Sequence, residues 1–222
     1  MVDLTRQGPV FILAMRSGEN RFNRPFLDAL VNALDEIEGS GGPTALVTVG
    51  EDKFYSNGLD LNWLMGEGAA EGPTFVGHFL AFLGRFLGLS IPTVAAMNGH
   101  AFAGGGMFAL AHDFRVMRAD RGFFCLPEID INLPFAPGMR MLIQAKLDPS
   151  VSRDLMLTGR RVGGADAATL RIVDETATGD DVLTRAIERA AALATKDRGT
   201  FSTIKRSMYA PIIRALEDGT LA

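Results

Sequence analysis

Three consecutive glycines, Gly104-Gly105-Gly106, lie where an apolar strand-like run (residues 91–97) gives way to a helical run (residues 107–110). Glycines at a helix mouth leave backbone N–H groups unpaired and put no side chain in the way of a ligand. A second such place, Ser56-Asn57-Gly58-Leu59-Asp60, follows another apolar run. Glu128 stands among Leu126, Pro127 and Ile129, and burial in such company raises a carboxyl toward neutrality. Two N–H groups converging on one oxygen stabilise a developing enolate. A tuned carboxylate beside them would move a proton at the adjacent carbon. The chemistry suggested is proton transfer next to a carbonyl. Taken singly, a glycine triplet equally serves tight helix–strand packing, and a lone carboxylate equally serves the surface.

Positioning these pieces requires a sheet with helices. Residues 10–15 and 45–49 are continuous apolar strands, with residues 25–37 between them spaced as an amphipathic helix. Asn23 is placed as its cap and Pro25 in its first turn. Strand, helix, strand predicts a βαβ unit and a parallel sheet, whose carboxyl edge binds ligands in open α/β folds. Residues 54–61 are expected as a loop entering a helical region, and residues 63–71 as loop. Residues 74–89 form an amphipathic helix whose Phe75, Phe79, Phe82 and Phe86 are core by default. Residues 91–97, 114–118 and 122–125 are further strands, and residues 135–146 a helix. Beyond Ser150 the pattern is helical, over residues 150–158, 165–170, 180–195 and 200–216, the last interrupted by Pro211. The expectation is an α/β core over residues 1–146 and a helical region over residues 147–222, belonging to one fold.

The chain has 222 residues, enough for an ample core, with 47% hydrophobic and 22% charged residues. Its net charge of -4 argues against a general nucleic-acid binder. One cysteine, Cys125, excludes an intramolecular disulfide and a cysteine metal cluster; it is expected as a small buried residue. His78, His100 and His112 lack metal-ligand spacing, and His112 is a cap or packing residue. No GxxxxGK[ST], GxGxxG or GxSxG pattern occurs. No stretch is long and apolar enough for a membrane helix, and residues 219–222 are not a peroxisomal address. Cytosol is the expected location.

The residues NRFNRPFLDAL, KFYSNGLDL, IPTVAAMNGHAFAGGGMFALAHDFRVM and LPEIDINLP, in this order over nearly the whole chain, resemble the enoyl-CoA hydratase/isomerase (crotonase) superfamily. That resemblance implies a crotonase-like spiral of βαβ units with a C-terminal α-helical region used in trimer contacts, and a site for an acyl-CoA thioester. By motif matching, the oxyanion hole falls on the N–H groups of Leu59 and Gly105. Ser56, Asn57, Gly58 and Gly104 surround it, and Glu128 of the PE dipeptide is the base.

One departure is informative. Hydratases of the family carry a second glutamate just after the glycine triplet, where this chain has Phe108. Water addition needs two groups, and a phenylalanine is neither. A 1,3-shift of a double bond runs on one base, so the resemblance points to the Δ3,Δ2-enoyl-CoA isomerase branch. A hydratase, a thioester hydrolase and a non-catalytic acyl-CoA-binding paralogue are the alternatives. Asp130 is the rival carboxylate, and Asp60 a helix cap. Phe108 and Trp63, with Phe75 and Phe79, would set the depth of an acyl pocket. Arg21 and Lys205 are candidates for the coenzyme A phosphates, from a basic first loop (Arg16, Arg21, Arg24) and a basic last helix (Lys205, Arg206). Coenzyme A arrives as part of the substrate, so no separate cofactor or metal is expected. The expected assembly is a homotrimer or a dimer of trimers.

Overall fold

A computed structural model describes residues 1–179 and 181–219. Its large sheet is built from β1 (Val2–Gln7), β2 (Val10–Met15), β3 (Ala45–Val49), and three further strands. The runs VFILAM and ALVTV are apolar but for the buried Thr48, because the interior strands are covered on both faces. Between them, α1 (Arg24–Glu38) is capped by the Asn23 side chain, which accepts from the Phe26 N–H, and buries Phe26, Leu27, Leu30, Leu34 and Ile37. β3 and the two long strands after it are each followed closely by a short one. After β3 comes β4 (Phe54–Ser56), then α2 (Leu61–Met65) and α3 (Gly72–Leu87); after β5 (Thr93–Met97) comes β6 (His100–Phe102), then α4 (Gly104–Ala111). After β7 (Phe114–Arg118) comes β8 (Phe123–Cys125), leading to α5 (Pro137–Lys146) and α6 (Pro149–Thr158). The long strands β2, β3, β5 and β7 pair in parallel in one sheet. The short strands β4, β6 and β8 pair in parallel in another. The chain therefore advances by one strand in both sheets at each turn, which is the expected spiral. Its corners are tight: a Cβ on Gly50 would stand 2.1 Å from Phe54 O of the same corner, and one on Gly99 2.1 Å from Lys53 O of the preceding turn, so both positions exclude side chains.

The remaining elements are β9 (Val162–Gly163), α7 (Gly164–Thr169), β10 (Glu175–Ala177), α8 (Asp181–Ala194) and α9 (Arg198–Glu217). In α8, Val182, Ala186, Ala190 and Ala194 recur every four residues. That stripe packs on Val10, Ala45, Val47, Val94, Ala96 and Val116 of the large sheet. The opposite face of that sheet supports the larger core, to which α1, α3, α4, α5 and α9 contribute.

Several expectations are corrected. β1 forms an antiparallel edge hairpin with β2, although its polar, largely exposed residues carry no strand signal. Residues 54–61 and 63–71 contain β4, α2 and a single 3-10 turn, Ala69–Glu71, where loop was expected. α4 begins at Gly104, so the glycines expected at the helix mouth are its first turn. β9 extends the short-strand sheet and β10 extends the long-strand sheet beyond residue 146, so the helical region also carries strands of the core. α9 runs through Pro211 without interruption. A proline there removes one hydrogen bond, and the burial of Ile212, Ile213 and Leu216 more than offsets it. Asp180, expected to begin a helix, lies outside the described residues.

Candidate active site

A cavity of about 410 Å³ opens where the spiral turns meet, between the loop after β4, the N-terminus of α4, α3 and the segment after β8. Its lining is apolar, with Phe79, Phe102, Ile131, Leu133 and Met139 prominent, and its polar side chains are Arg21, Asn57 and Glu128. Leu126 of the segment after β8 leads into a 3-10 turn, Pro127–Ile129, closed by the Asp130 N–H donating to the Pro127 carbonyl. That turn holds Glu128 at 5% exposure. Among the described residues Oε2 of Glu128 has no hydrogen-bond partner. Burial pushes the carboxyl up to about 7, because an ionised oxygen without donors is costly away from water.

The loop after β4 runs beside the segment that precedes α1. Phe22 N–H donates to Gly58 O at 2.8 Å, and Asp60 N–H donates to Phe22 O at 2.9 Å. In extended chain, successive N–H groups point to opposite sides. Leu59, between those two bonded residues, therefore turns its N–H away from Phe22, and among the described residues it meets no protein acceptor. In α4 the first helical bond is Met107 N–H to Ala103 O. The N–H groups of the three glycines consequently lack intrahelical acceptors. The two donor segments touch: a Cβ on Gly105 would stand 2.3 Å from Ser56 O, and one on Gly58 would stand 3.0 Å from Gly104 N. Ala103, at the turn into α4, has φ +48°, a conformation that costs a non-glycine residue about 1–3 kcal/mol and persists where packing imposes it.

Of the site residues expected from sequence, Glu128, Leu59, Asn57, Gly104 and Arg21 line the cavity. Ser56, Gly58 and Gly105 form its backing: Ser56 is buried and its hydroxyl donates to Asn20 O at 2.7 Å. Four expected substrate contacts, Phe108, Trp63, Phe75 and Lys205, are not cavity-lining residues. Phe108 is fully buried against Phe22, Phe82, Phe86 and His112, because a fully buried helix turns that position into the core. Trp63 packs on Phe75 at 5.0 Å, since the Asp60 cap starts α2 on that side. Lys205 is 3% exposed and donates to Asp113 Oδ2 at 2.9 Å and Ile91 O at 3.4 Å, so its charge is already matched inside the protein. Arg16 and Arg24 are paired with Asp3 and Glu71 and do not line the cavity, whereas Arg21, paired with Glu19, does. Asp130 is exposed and does not line the cavity.

Cys125 is buried, donates to Gly159 O, and is pushed up to about 11 by burial. His112 is a packing residue, as expected. Its Nδ1 is 2.8 Å from Phe108 O and therefore carries the proton, leaving Nε2 to accept from the Thr48 hydroxyl at 2.8 Å. Burial holds it well below the ordinary histidine range. Phe79, assigned to the core by default, also reaches the cavity, and Phe102, Ile131, Leu133 and Met139 had no individual signal. Only the Leu-Pro-Phe-Ala-Pro composition after the carboxylate hints at an apolar wall. Among the described residues no three His, Cys, Asp or Glu side chains are grouped to hold a metal ion.

A βαβ spiral that brings one buried carboxylate and unpaired N–H groups to an apolar cavity can take a proton beside a carbonyl and hold the oxygen that becomes negative. The chain belongs to the enoyl-CoA hydratase/isomerase family, whose pattern it matches over residues 8–221. It is 34% identical to enoyl-CoA delta isomerase 3 of Arabidopsis thaliana, over 98% of this chain and 95% of that one. It is 28% identical to carnitinyl-CoA dehydratase of Salmonella enteritidis, over 97% and 83%. In fold it is similar to human mitochondrial Δ3-Δ2-enoyl-CoA isomerase, with a TM-score of 0.89 at 19% identity over 98% and 90% of the two chains. An isomerase- or hydratase-type reaction on enoyl-CoA follows from this membership.

Proposed function

We propose that the protein is a Δ3,Δ2-enoyl-CoA isomerase, shifting the double bond of a 3-enoyl-CoA to trans-2 in fatty acid β-oxidation. The observation that carries this reading is that Glu128 is the one carboxylate among the cavity-lining residues. One base suffices for a 1,3-proton transfer, whereas water addition calls for two groups. Glu128 removes the α proton, the N–H groups of Leu59 and Gly105 receive the thioester oxygen as it becomes an enolate, and the same carboxyl returns the proton to the γ carbon. With a carboxyl near 7, about half of the groups are ionised at neutral pH and ready to take the α proton, and each is a stronger base than an ordinary glutamate.

Coenzyme A is here part of the substrate, with no separate cofactor, and Arg21 at the cavity edge is the residue we assign to its anionic end. A homotrimer and a cytoplasmic location belong to the same proposal. Among the described residues no helix is long and apolar enough to cross a membrane, and another relative, 33% identical, is named as peroxisomal in Arabidopsis thaliana. The test is a panel of purified-protein assays on 3-enoyl-CoAs of several chain lengths, 2-enoyl-CoAs and saturated acyl-CoAs. Isomerase activity gains conjugated absorbance from the first. Loss of conjugation in the second identifies a hydratase, free thiol from the third identifies a hydrolase, and binding without any turnover identifies a non-catalytic paralogue.

A further inference from the structure

The segment before α1 is stitched to the loop that carries Leu59. Asn57 N–H donates to Glu19 O at 2.9 Å, the buried Asn20 side chain donates to Tyr55 O at 3.1 Å, and the Phe22 bonds described above complete the seam. Within it one side chain does two things at once. Oε2 of Glu19 accepts from Asn57 Nδ2 at 2.8 Å and from Arg21 Nε at 2.6 Å. Asn57 and Arg21 both line the cavity, and Glu19 does not. Those bonds hold the Glu19 carboxyl below its ordinary range, the Asn57 amide contributing most. The ion pair is partly exposed, at 35% and 41% for its two side chains, so its worth as a stabiliser is small. Its geometric consequence is larger. Asn57 stands two residues before Leu59, and Arg21 would otherwise be a flexible cation at the cavity edge.

We propose that Glu19 is a positioning residue for this site. Its carboxylate fixes the Asn57 side chain in the cavity wall, two residues from the Leu59 donor, while aiming the Arg21 guanidinium at the anionic carrier end of a thioester. The inference rests on the function proposed above. It assigns the two halves of the contact to different kinetic constants: the Asn57 bond to kcat, through a cavity-lining amide that must sit correctly against the reacting thioester, and the Arg21 bond to KM.

The experiment compares wild type, Glu19→Ala and Glu19→Gln by kcat and KM on a 3-enoyl-CoA, the Kd of a saturated acyl-CoA, and Tm. Alanine removes both bonds, so kcat falls by about tenfold to a hundredfold, the loss that a misplacement near 1 Å brings, and KM and Kd rise several-fold. Glutamine still offers an oxygen to Asn57 but no charge to Arg21, so most of kcat returns while KM and Kd stay raised. Both variants keep Tm within a few degrees, because the backbone seam remains. Wild-type kcat, KM and Kd in Glu19→Ala overturn the proposal. So does a loss of kcat that tracks a fall in Tm and that glutamine does not restore, since that marks a structural role only. If wild type isomerises no 3-enoyl-CoA, the function proposed above fails on its own account. The acyl-CoA Kd then decides, and equal values for wild type and Glu19→Ala overturn the role of Glu19.

Discussion

Replacing Glu128 with glutamine removes the base while keeping the shape of the side chain, and the structure sets the size of two opposite effects. With the carboxyl near 7, about a tenth of the wild-type protein is ionised at pH 6 and about nine tenths at pH 8. Wild-type kcat/KM should therefore climb about tenfold between those values, and the climb belongs to free enzyme. Glu128→Gln should lose at least the 10²–10⁴-fold that a positioned acid–base group contributes. Stability should move the other way. A carboxyl raised from the ordinary 4.5 to about 7 binds its proton more tightly in the folded protein. Its penalty is absent below pH 4.5, grows between 4.5 and 7, and is complete above 7, where it reaches about 3 kcal/mol. Glutamine resembles the protonated form, so Glu128→Gln should be more stable than wild type by up to that amount at pH 8 and equal to it near pH 4.5. For a chain of this size that is roughly 6–12 °C in Tm. The assay is the rise in conjugated thioester absorbance across pH 5–9, paired with thermal melts at pH 4.5 and 8. A flat profile between pH 6 and 8, near wild-type turnover by Glu128→Gln, or a glutamine variant less stable at pH 8 would refute the role drawn for this side chain.

Other changes separate backing from lining. Gly105→Ala puts a methyl 2.3 Å from Ser56 O, so α4 must shift from β4; we expect about 1–3 kcal/mol of lost stability and roughly a hundredfold lower kcat, read by melts and initial rates. Phe108→Glu should not create a hydratase, because the side chain stays among Phe22, Phe86 and His112. Loss of the ring alone costs about 3–5 kcal/mol, and soluble yield should collapse, with no hydration of 2-enoyl-CoA in what survives. Lys205→Met leaves Asp113 with only its Thr93 donors and should cost about 3–5 kcal/mol in a denaturant titration, with KM for acyl-CoA unchanged.

The long strands and helices were legible because burial leaves a repeating signal. The run at β2 is apolar end to end, those at β3 and β5 are broken by a single threonine each, and α1 carries both its cap and its apolar stripe. The short strands were less so. β4 and β9 have three and two residues, too few for periodicity; β4 exists because β3 delivers it beside β6, and β9 because α6 delivers it beside β8. β1 is an exposed edge whose residues need no apolar pattern.

At the site, residue type alone determined the chemistry available: one carboxylate in apolar company, two glycine-bearing turns, and a phenylalanine where a second acid would be needed. Which of them face the substrate was decided in three dimensions. Phe108 rules out a second carboxylate by its identity but lies in the core, and Lys205, a candidate phosphate ligand by sequence, spends its charge on Asp113, 92 positions away. Glu19 is the converse case. Read in sequence it is one acidic residue in a polar turn, and only the approach of Asn57, 38 positions on, gives its carboxylate something to hold. Composition constrains what a group can do; desolvation and hydrogen-bond partners, which come from distant turns of the spiral, decide what it does.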